Sequence, residues 1–274
     1  MIDGYKIITC GPVGRRKYFE IQLKYIKKLK GLIDKHIFWL NTLDQEDLKY
    51  FESIVKSDPE FFECIDLPHN PRWAQSTNNI HRFYEYCNDP NAIYCRIDDD
   101  IVYIEYKEFE NFIKFRIQNP QYSLVFPNII NNGICFYLHQ KFGLIDDKYF
   151  PPVEYSCSNR AWENYSYAIK SFSCLQQCGY EGRLDKLKFD KWILTNNERF
   201  SVNFFAWFGK DEDVRSCQVD EENWLTTVLP RIKQKHNCIY GKFLVAHYAF
   251  FTQREKLDEK TEIINFFKEI SELV

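Results

Sequence analysis

The first hundred residues alternate short apolar runs with segments of helical spacing, and this alternation constrains the fold more than any other feature. Residues 5–10, 37–40, 61–67 and 92–97 are predicted strands, separated by predicted helices over residues 14–29, 44–54 and 78–87. Asp44 is a suitable N-cap for the second of these helices. Strands that alternate with helices form a parallel sheet with helices on both faces. We therefore expect an α/β domain with a Rossmann-like, mostly parallel central sheet flanked by helices.

The remaining sequence predicts one domain over residues 1–274. A helix over residues 107–118 and a strand over residues 122–127 continue the pattern, followed by a more irregular second half. No stretch rich in glycine, serine or proline suggests a linker, and no internal repeat is visible. The oligomeric state stays open.

Composition excludes several classes of protein. The net charge of -3 lacks the basic excess that binding to nucleic-acid phosphates requires. The longest apolar run, residues 243–251, is far shorter than the roughly 20 residues of a membrane span, and no signal peptide is apparent. The 10 cysteines are scattered without a CxxC pair, which predicts reduced thiols in a cytoplasmic protein and disfavours a zinc site.

Three carboxylates, Asp98, Asp99 and Asp100, directly follow the predicted strand over residues 92–97. Ligands of open α/β sheets bind at the carboxyl ends of the strands. Strand alternation would place Asp98 and Asp100 on one side, where two hard oxygen ligands suit Mg²⁺ or Mn²⁺ and the ion could neutralise a diphosphate. The alternative is a solvated loop with an Asx turn.

Two further features have structural as well as functional interpretations. His247 lies in an apolar segment, where a hydrogen-bonded core histidine is the plain interpretation. Asp220, Glu221 and Glu222 suit the first turn of a helix, with Asp220 as its N-cap.

Together these blocks resemble the DxD-containing nucleotide-sugar glycosyltransferases of the A-type fold. The chain is similar in particular to glycosyltransferases of large DNA viruses of algae (chloroviruses) and to related bacterial proteins. The matching stretches span nearly the whole chain: GRRKY at 14–18, WLNT at 39–42, YCRIDDDIVY at 94–103, FPNIINN at 126–132, KFDKW at 188–192, ERFS at 198–201, DEENWL at 220–225 and VAHYAF at 245–250.

The resemblance implies a nucleotide-sugar-binding half over residues 1–105 and an acceptor-binding half over residues 106–274. It also implies an enzyme that moves a sugar, a pentose such as xylose or a hexose, from a UDP-sugar to a hydroxyl of a glycan. The residues implied in donor binding are Thr9, Gly11, Pro12, Arg15, Asn41, Asn79, Arg82, Asp98 and Asp99.

The metal site implied by the resemblance consists of Asp100, Asp98 and His247, which would hold Mn²⁺ or Mg²⁺. The metal would stabilise the departing nucleoside diphosphate. If the protein is viral, it would work in the host cytoplasm.

The second acidic cluster implies an inverting enzyme, in which a carboxylate deprotonates the acceptor hydroxyl. Glu222 is the preferred base, followed by Glu221, while Asp220 caps the helix and Asp190 is a further candidate acid or acceptor ligand. Aromatic rings near these acids, Trp192, Trp207 and Trp224, are expected to contact the acceptor sugar.

Two other functions remain open on the sequence. A sugar nucleotidyltransferase shares a related sheet, although the turn GPVGRR lacks the longer glycine-rich signature that cradles a triphosphate. The other is a non-catalytic carbohydrate-binding protein that stacks its aromatic rings on sugars.

Overall fold

A computed structural model describes residues 1–68, 80–145, 148 and 150–274. The strands are β1 (Lys6–Val13), β2 (Lys35–Leu40), β3 (Phe62–Ile65), β4 (Ala92–Ile97), β5 (Ile101–Ile104), β6 (Tyr122–Ile130), β7 (Lys191–Leu194), β8 (Phe204–Phe208) and β9 (His236–His247). The helices are α1 (Arg16–Lys28), α2 (Gln45–Ser57), α3 (Ile80–Phe83), α4 (Phe109–Gln118), α5 (Gly133–Lys141), α6 (Arg160–Glu163), α7 (Tyr165–Tyr180), α8 (Glu212–Arg215), α9 (Glu221–Asn223), α10 (Leu229–Ile232), α11 (Phe251–Asp258) and α12 (Thr261–Ser271).

The strands form one mixed sheet in the order β3-β2-β1-β4-β8-β6-β9-β5, with β7 paired to β9. Strands β3, β2, β1 and β4 are mutually parallel, as the βαβ alternation predicts. Strand β8 runs antiparallel between β4 and β6, and β9 is parallel to β6. The α/β class with a central sheet flanked by helices is therefore confirmed, and its parallel half is the one predicted from the first hundred residues.

Local sequence explains the first helices. Helix α1 buries one face, including Tyr18, Ile21 and Tyr25, at the helical spacing seen in the sequence. The Asp44 side chain accepts hydrogen bonds from the backbone amides of residues 46 and 47, so it is the N-cap of α2 as predicted.

A continuous hydrophobic core joins the two halves of the chain across the β4–β8 pair. Tyr94 of β4 stacks on Trp207 of β8 with ring centroids 5.5 Å apart. Both rings are fully buried, so this contact packs the antiparallel strand β8 onto the parallel half of the sheet. The 10 cysteines are free thiols, as predicted. No helix within the described ranges is both long and apolar enough to cross a membrane.

Gly11 lets the carboxyl ends of β1 and β4 approach closely. A Cβ at this position would collide with the carbonyl oxygen of Ile97. Only glycine leaves room for that contact, which brings the turn after β1 beside the acidic residues that follow β4.

Candidate functional site

A cavity of about 690 Å³ opens at the carboxyl ends of β1, β2 and β4. We call it the central cavity. It is lined by Pro12, Val13, Gly14, Arg15, Asn41, Thr42, Ile80, Arg96, Asp98, Asp99, Trp162, Arg199, Val202, Asn203, Glu221, Glu222, Phe250, Phe251 and Arg254. The position agrees with the general rule that α/β sheets bind ligands at this edge. The cavity brings together two members of the first acidic triplet, Asp98 and Asp99, and two members of the second acidic cluster, Glu221 and Glu222.

Asp99 fastens the turn between β1 and α1. One of its carboxylate oxygens accepts hydrogen bonds from the backbone amides of Gly14 and Arg15, at 2.9 and 2.7 Å. The other accepts from Nε of Arg15 at 2.7 Å and from Nη2 of the same side chain. Because Asp99 is almost entirely buried, these charge-assisted bonds hold the Arg15 guanidinium at the cavity wall.

Asp100 is buried behind that wall among cationic and imidazole groups. Its Oδ2 lies 2.6 Å from Nη1 of Arg15, 3.1 Å from Nη2 of Arg254 and 3.4 Å from Nε2 of His247. Burial alone would raise the pKa of Asp100, but the neighbouring Arg15, His247 and Arg254 outweigh burial and hold that pKa well below its usual range. Asp100 is therefore an anion that two guanidinium groups neutralise.

Asp98 belongs to a different charge network. Arg96, buried in β4, lies 2.8 Å from Asp98 through Nη2 and 2.8 Å from Glu221 through Nη1, and it donates to Tyr84 Oη at 2.7 Å. Burial raises the pKa of Asp98 to about 6, against the opposing effect of Arg96. One arginine thus connects the end of β4 to the start of α9.

The triplet does not continue strand β4. The strand ends at Ile97, and the amide of Ile101 donates to the carbonyl of Asp98 at 3.0 Å in a turn. Strand alternation therefore does not govern the three carboxylates: Asp99 and Asp100 share Arg15, while Asp98 pairs with Arg96.

Asp220 and Glu222 have separate roles at the start of α9. Asp220 accepts from the amide of Asn223 at 3.2 Å, so it is the N-cap. Glu222 lines the cavity and pairs with Nε of Arg199, which also contacts Asp220 at 3.0 Å. Burial raises the pKa of Glu222, and the Arg199 charge opposes that rise.

The surroundings of Asp100 offer few protein ligands to a divalent cation. No group of three or more histidine, cysteine, aspartate or glutamate side chains able to hold a metal occurs among the residues that the structure describes. However, Asp100 Oδ1 and His247 Nδ1 are buried without a hydrogen-bond partner. A carboxylate oxygen and an imidazole suit Mn²⁺ or Mg²⁺ when phosphate oxygens and water supply the other ligands. These two atoms are therefore the ones that could ligate a cation of that kind, whereas Asp98 is engaged with Arg96.

The donor residues predicted from the resemblance divide into two groups. Pro12, Arg15, Asn41, Asp98 and Asp99 line the central cavity. The others do not line it.

Thr9 is buried in β1, where its Oγ1 lies 2.6 Å from His36 Nδ1. Gly11 packs against the backbone of Ile97. Arg82 is exposed on α3 outside the cavity lining, and Asn79 lies outside the described residues.

The acceptor residues predicted from the sequence lie away from the cavity lining. Trp207 is fully buried in the sheet and Trp224 is half-buried beside Asn223 on the segment that follows α9. Trp192 is half-buried on β7 and donates to Tyr155 Oη at 2.7 Å. Asp190 is 85% exposed beside Lys242.

Sequence reasoning missed the arginines and aromatic residues of the second half. Arg199 and Arg254 supply positive charge to the cavity, and Trp162, Phe250 and Phe251 form part of its wall. These residues come from three segments, around Trp162, Arg199 and Phe250–Arg254, and the spacing between those segments carries no signal. Arg96 did carry one, because an arginine inside an apolar strand needs a buried partner.

No family model matches the sequence, and no curated protein matches it. Among solved structures, 4-diphosphocytidyl-2C-methyl-D-erythritol synthase matches with a TM-score of 0.31 at 12% identity, covering 43% of this chain and 56% of that one. Mannose-6-phosphate isomerase from Helicobacter pylori matches with a TM-score of 0.40 at 13% identity, covering 89% of this chain and 98% of that one. At these TM-scores the likeness supports no conclusion about function.

Proposed function

We propose that the chain transfers a sugar from a nucleoside-diphosphate sugar, a UDP-sugar, to a hydroxyl of a glycan. The observation that carries the proposal is that the acidic end of β4 with Arg15 and the carboxylate of Glu222 line one cavity. A diphosphate leaving group and a general base are the two needs of such a transfer.

The leaving group needs positive charge. Arg15 and Arg254 line the cavity and are about one-third exposed, so their guanidinium groups can reach diphosphate oxygens. However, the lining contains four arginines and four carboxylates, with Asp100 directly behind Arg15. The arginines are thus already balanced by protein carboxylates, and a diphosphate would add further negative charge.

A divalent cation would correct this imbalance. Asp100 and His247 would hold it, and the cation would neutralise the diphosphate as the glycosyl bond breaks. Mn²⁺ or Mg²⁺ is therefore part of the proposal.

Glu222 is the proposed general base. Burial raises the pKa of Glu222 even though this carboxylate pairs with exposed Arg199, whereas Glu221 is paired with buried Arg96 at 2.8 Å. In the proposed step, Glu222 takes the proton of the acceptor hydroxyl while that oxygen forms a bond to the anomeric carbon. The bond from the anomeric carbon to the diphosphate oxygen breaks on the opposite side, which inverts the configuration.

The test is incubation of the purified protein with Mn²⁺ and a panel of UDP-sugars, with and without saccharide acceptors. We expect UDP release, slow with water alone and faster with a suitable acceptor, and a higher melting temperature with UDP and Mn²⁺. No UDP release and no thermal shift with any donor would refute the proposal. Pyrophosphate release from a nucleoside triphosphate and a sugar phosphate would instead indicate a nucleotidyltransferase. Chelator-insensitive saccharide binding without turnover would indicate a binding protein.

A further inference from the structure

One wall of the central cavity is aromatic. Trp162 of α6 contacts Phe250 and Phe251 at the start of α11, with ring centroids 6.1 and 5.4 Å apart. All three side chains line the cavity. Charged residues line the rest of the cavity, so it combines an apolar surface with polar ones.

Hydrogen bonds from side chains of α11 to backbone carbonyls of α6 hold this wall in place. The side chain of Gln253 donates to the carbonyl of Ala161 at 2.7 Å, and Thr252 Oγ1 donates to the carbonyl of Trp162 at 3.0 Å. Gln253 is itself buried and accepts from Asn131 at 3.0 Å. These bonds join helices α6 and α11 and so fix the positions of the Trp162 and Phe251 rings relative to each other.

The exposure of Phe251 is not explained by core packing. Its side chain is 72% exposed although it has no polar atom. Phe250, next to it, is mostly buried and already packs against Trp162 and His247. An exposed aromatic ring at the mouth of a polar cavity is typical of a ligand-contacting position.

Charged side chains near the aromatic wall can hydrogen-bond to the hydroxyls of a sugar. Glu222, Arg199 and Arg254 line the same cavity as Trp162 and Phe251. A sugar ring has one apolar C–H face and a rim of hydroxyls, which matches an aromatic wall with a carboxylate and guanidinium groups nearby.

We propose that Trp162 and Phe251 form the subsite for the acceptor, and that the acceptor is a neutral saccharide whose ring packs on the exposed face of Phe251. The proposal rests on the proposed sugar transfer. The aromatic wall belongs to the second half of the chain, whereas Pro12 and Asn41, the predicted nucleotide contacts, line the cavity from β1 and the end of β2. Stacking of the uracil base on Phe251 is the competing outcome that the experiment separates.

The kinetic test compares Phe251→Ala and Trp162→Ala with Tyr180→Ala, a control at a 73% exposed aromatic residue outside the cavity. We expect Phe251→Ala to raise the acceptor KM about tenfold, which corresponds to about 1.4 kcal/mol. Tyr180→Ala should leave both constants and the UDP release into water unchanged. In Phe251→Ala the donor KM should rise far less than the acceptor KM, and Phe251→Tyr should restore the acceptor KM. A raised donor KM with an unchanged acceptor KM, or no change in either constant, would overturn the proposal.

A binding test decides the proposal independently of turnover. D-xylose, D-glucose, D-galactose and their methyl glycosides are titrated with ligand-observed NMR, and UDP with Mn²⁺ is titrated in parallel. We expect the wild type to bind at least one saccharide, Phe251→Ala to lose it, and both to bind UDP equally. Saccharide binding that is absent in the wild type or unaffected in Phe251→Ala refutes the subsite. Absent UDP binding refutes the proposed function alone.

Discussion

Nη1 of Arg15 lies 2.6 Å from Oδ2 of Asp100, and this ion pair joins the turn after β1 to the acidic end of β4. Arg15 is one-third exposed whereas Asp100 is almost completely buried. The carboxylate therefore orients a guanidinium group whose remaining donors face the central cavity. Loss of this ion pair should therefore affect both the stability of the fold and the binding of an anionic ligand in the cavity.

Replacing Asp100 should impair both properties. Asp100→Asn leaves Arg15 and Arg254 without their shared anion, so we expect a loss of about 2 kcal/mol of unfolding free energy, limited by the exposure of both arginines. Mn²⁺-dependent UDP binding should be lost. Urea unfolding and calorimetric titration measure the two effects. Asp190→Asn, at an exposed site outside the cavity, is the matched control, and equal behaviour of the two variants would contradict this assignment.

Replacing Glu222 should slow transfer without weakening donor binding. Because the glutamine cannot accept the proton, Glu222→Gln is expected to lower kcat about 100-fold or more. Burial raises the pKa of Glu222, so the acidic limb of the kcat profile should lie above the ordinary glutamate value in the wild type and disappear in the variant. Initial rates across pH provide the measurement. Asp220→Asn keeps an N-cap and should stay near wild type; a normal kcat in Glu222→Gln would assign the base elsewhere.

Acid should destabilise the protein through His36. Burial lowers the pKa of this imidazole from 6.5 to about 3. The folded state therefore binds the proton at a lower pH than the unfolded state does. The stability contribution is present above pH 6.5 and falls as the pH decreases toward 3, at roughly 1 kcal/mol per pH unit.

The double variant Thr9→Val with His36→Phe removes both hydrogen-bond partners and should reduce this dependence, while buried His139, whose pKa burial lowers to about 4, retains its own contribution. Urea midpoints between pH 3 and 7 test the expectation. A pH dependence that is the same in the double variant and the wild type would show that other groups control acid unfolding.

Gly11 should not tolerate a side chain. Gly11→Ala would drive a Cβ into the Ile97 carbonyl, and because that atom belongs to the backbone of β4, relief requires separation of the strands. We expect a loss of about 1–3 kcal/mol. Gly31→Ala, where a Cβ meets no atom within 4 Å, is the matched control. Thermal melting of both variants measures the difference, and similar melting temperatures would show that β1 and β4 can shift apart freely.

Much of the parallel half could be predicted because its signals are local. Apolar runs, helical spacing and the Asp44 cap depend on residues within a few positions of one another. The antiparallel insertion of β8 between β4 and β6 was not predicted, since strand order depends on partners distant in sequence. The same limit explains Trp207, whose expected acceptor contact is replaced by stacking on Tyr94 in the core.

The sequence by itself determined the α/β alternation, the acidic triplet after β4 and the cap of α9, because each depends on neighbouring residues. Tertiary structure alone decided which charges meet. Arg15 reaches Asp99 across 84 positions and Arg254 reaches Asp100 across 154, distances in sequence over which no spacing rule operates. The aromatic wall of Trp162 and Phe251 arose in the same way. Its position in the cavity follows from the packing of α6 on α11, where the Gln253 amide and the Thr252 hydroxyl donate to the carbonyls of Ala161 and Trp162.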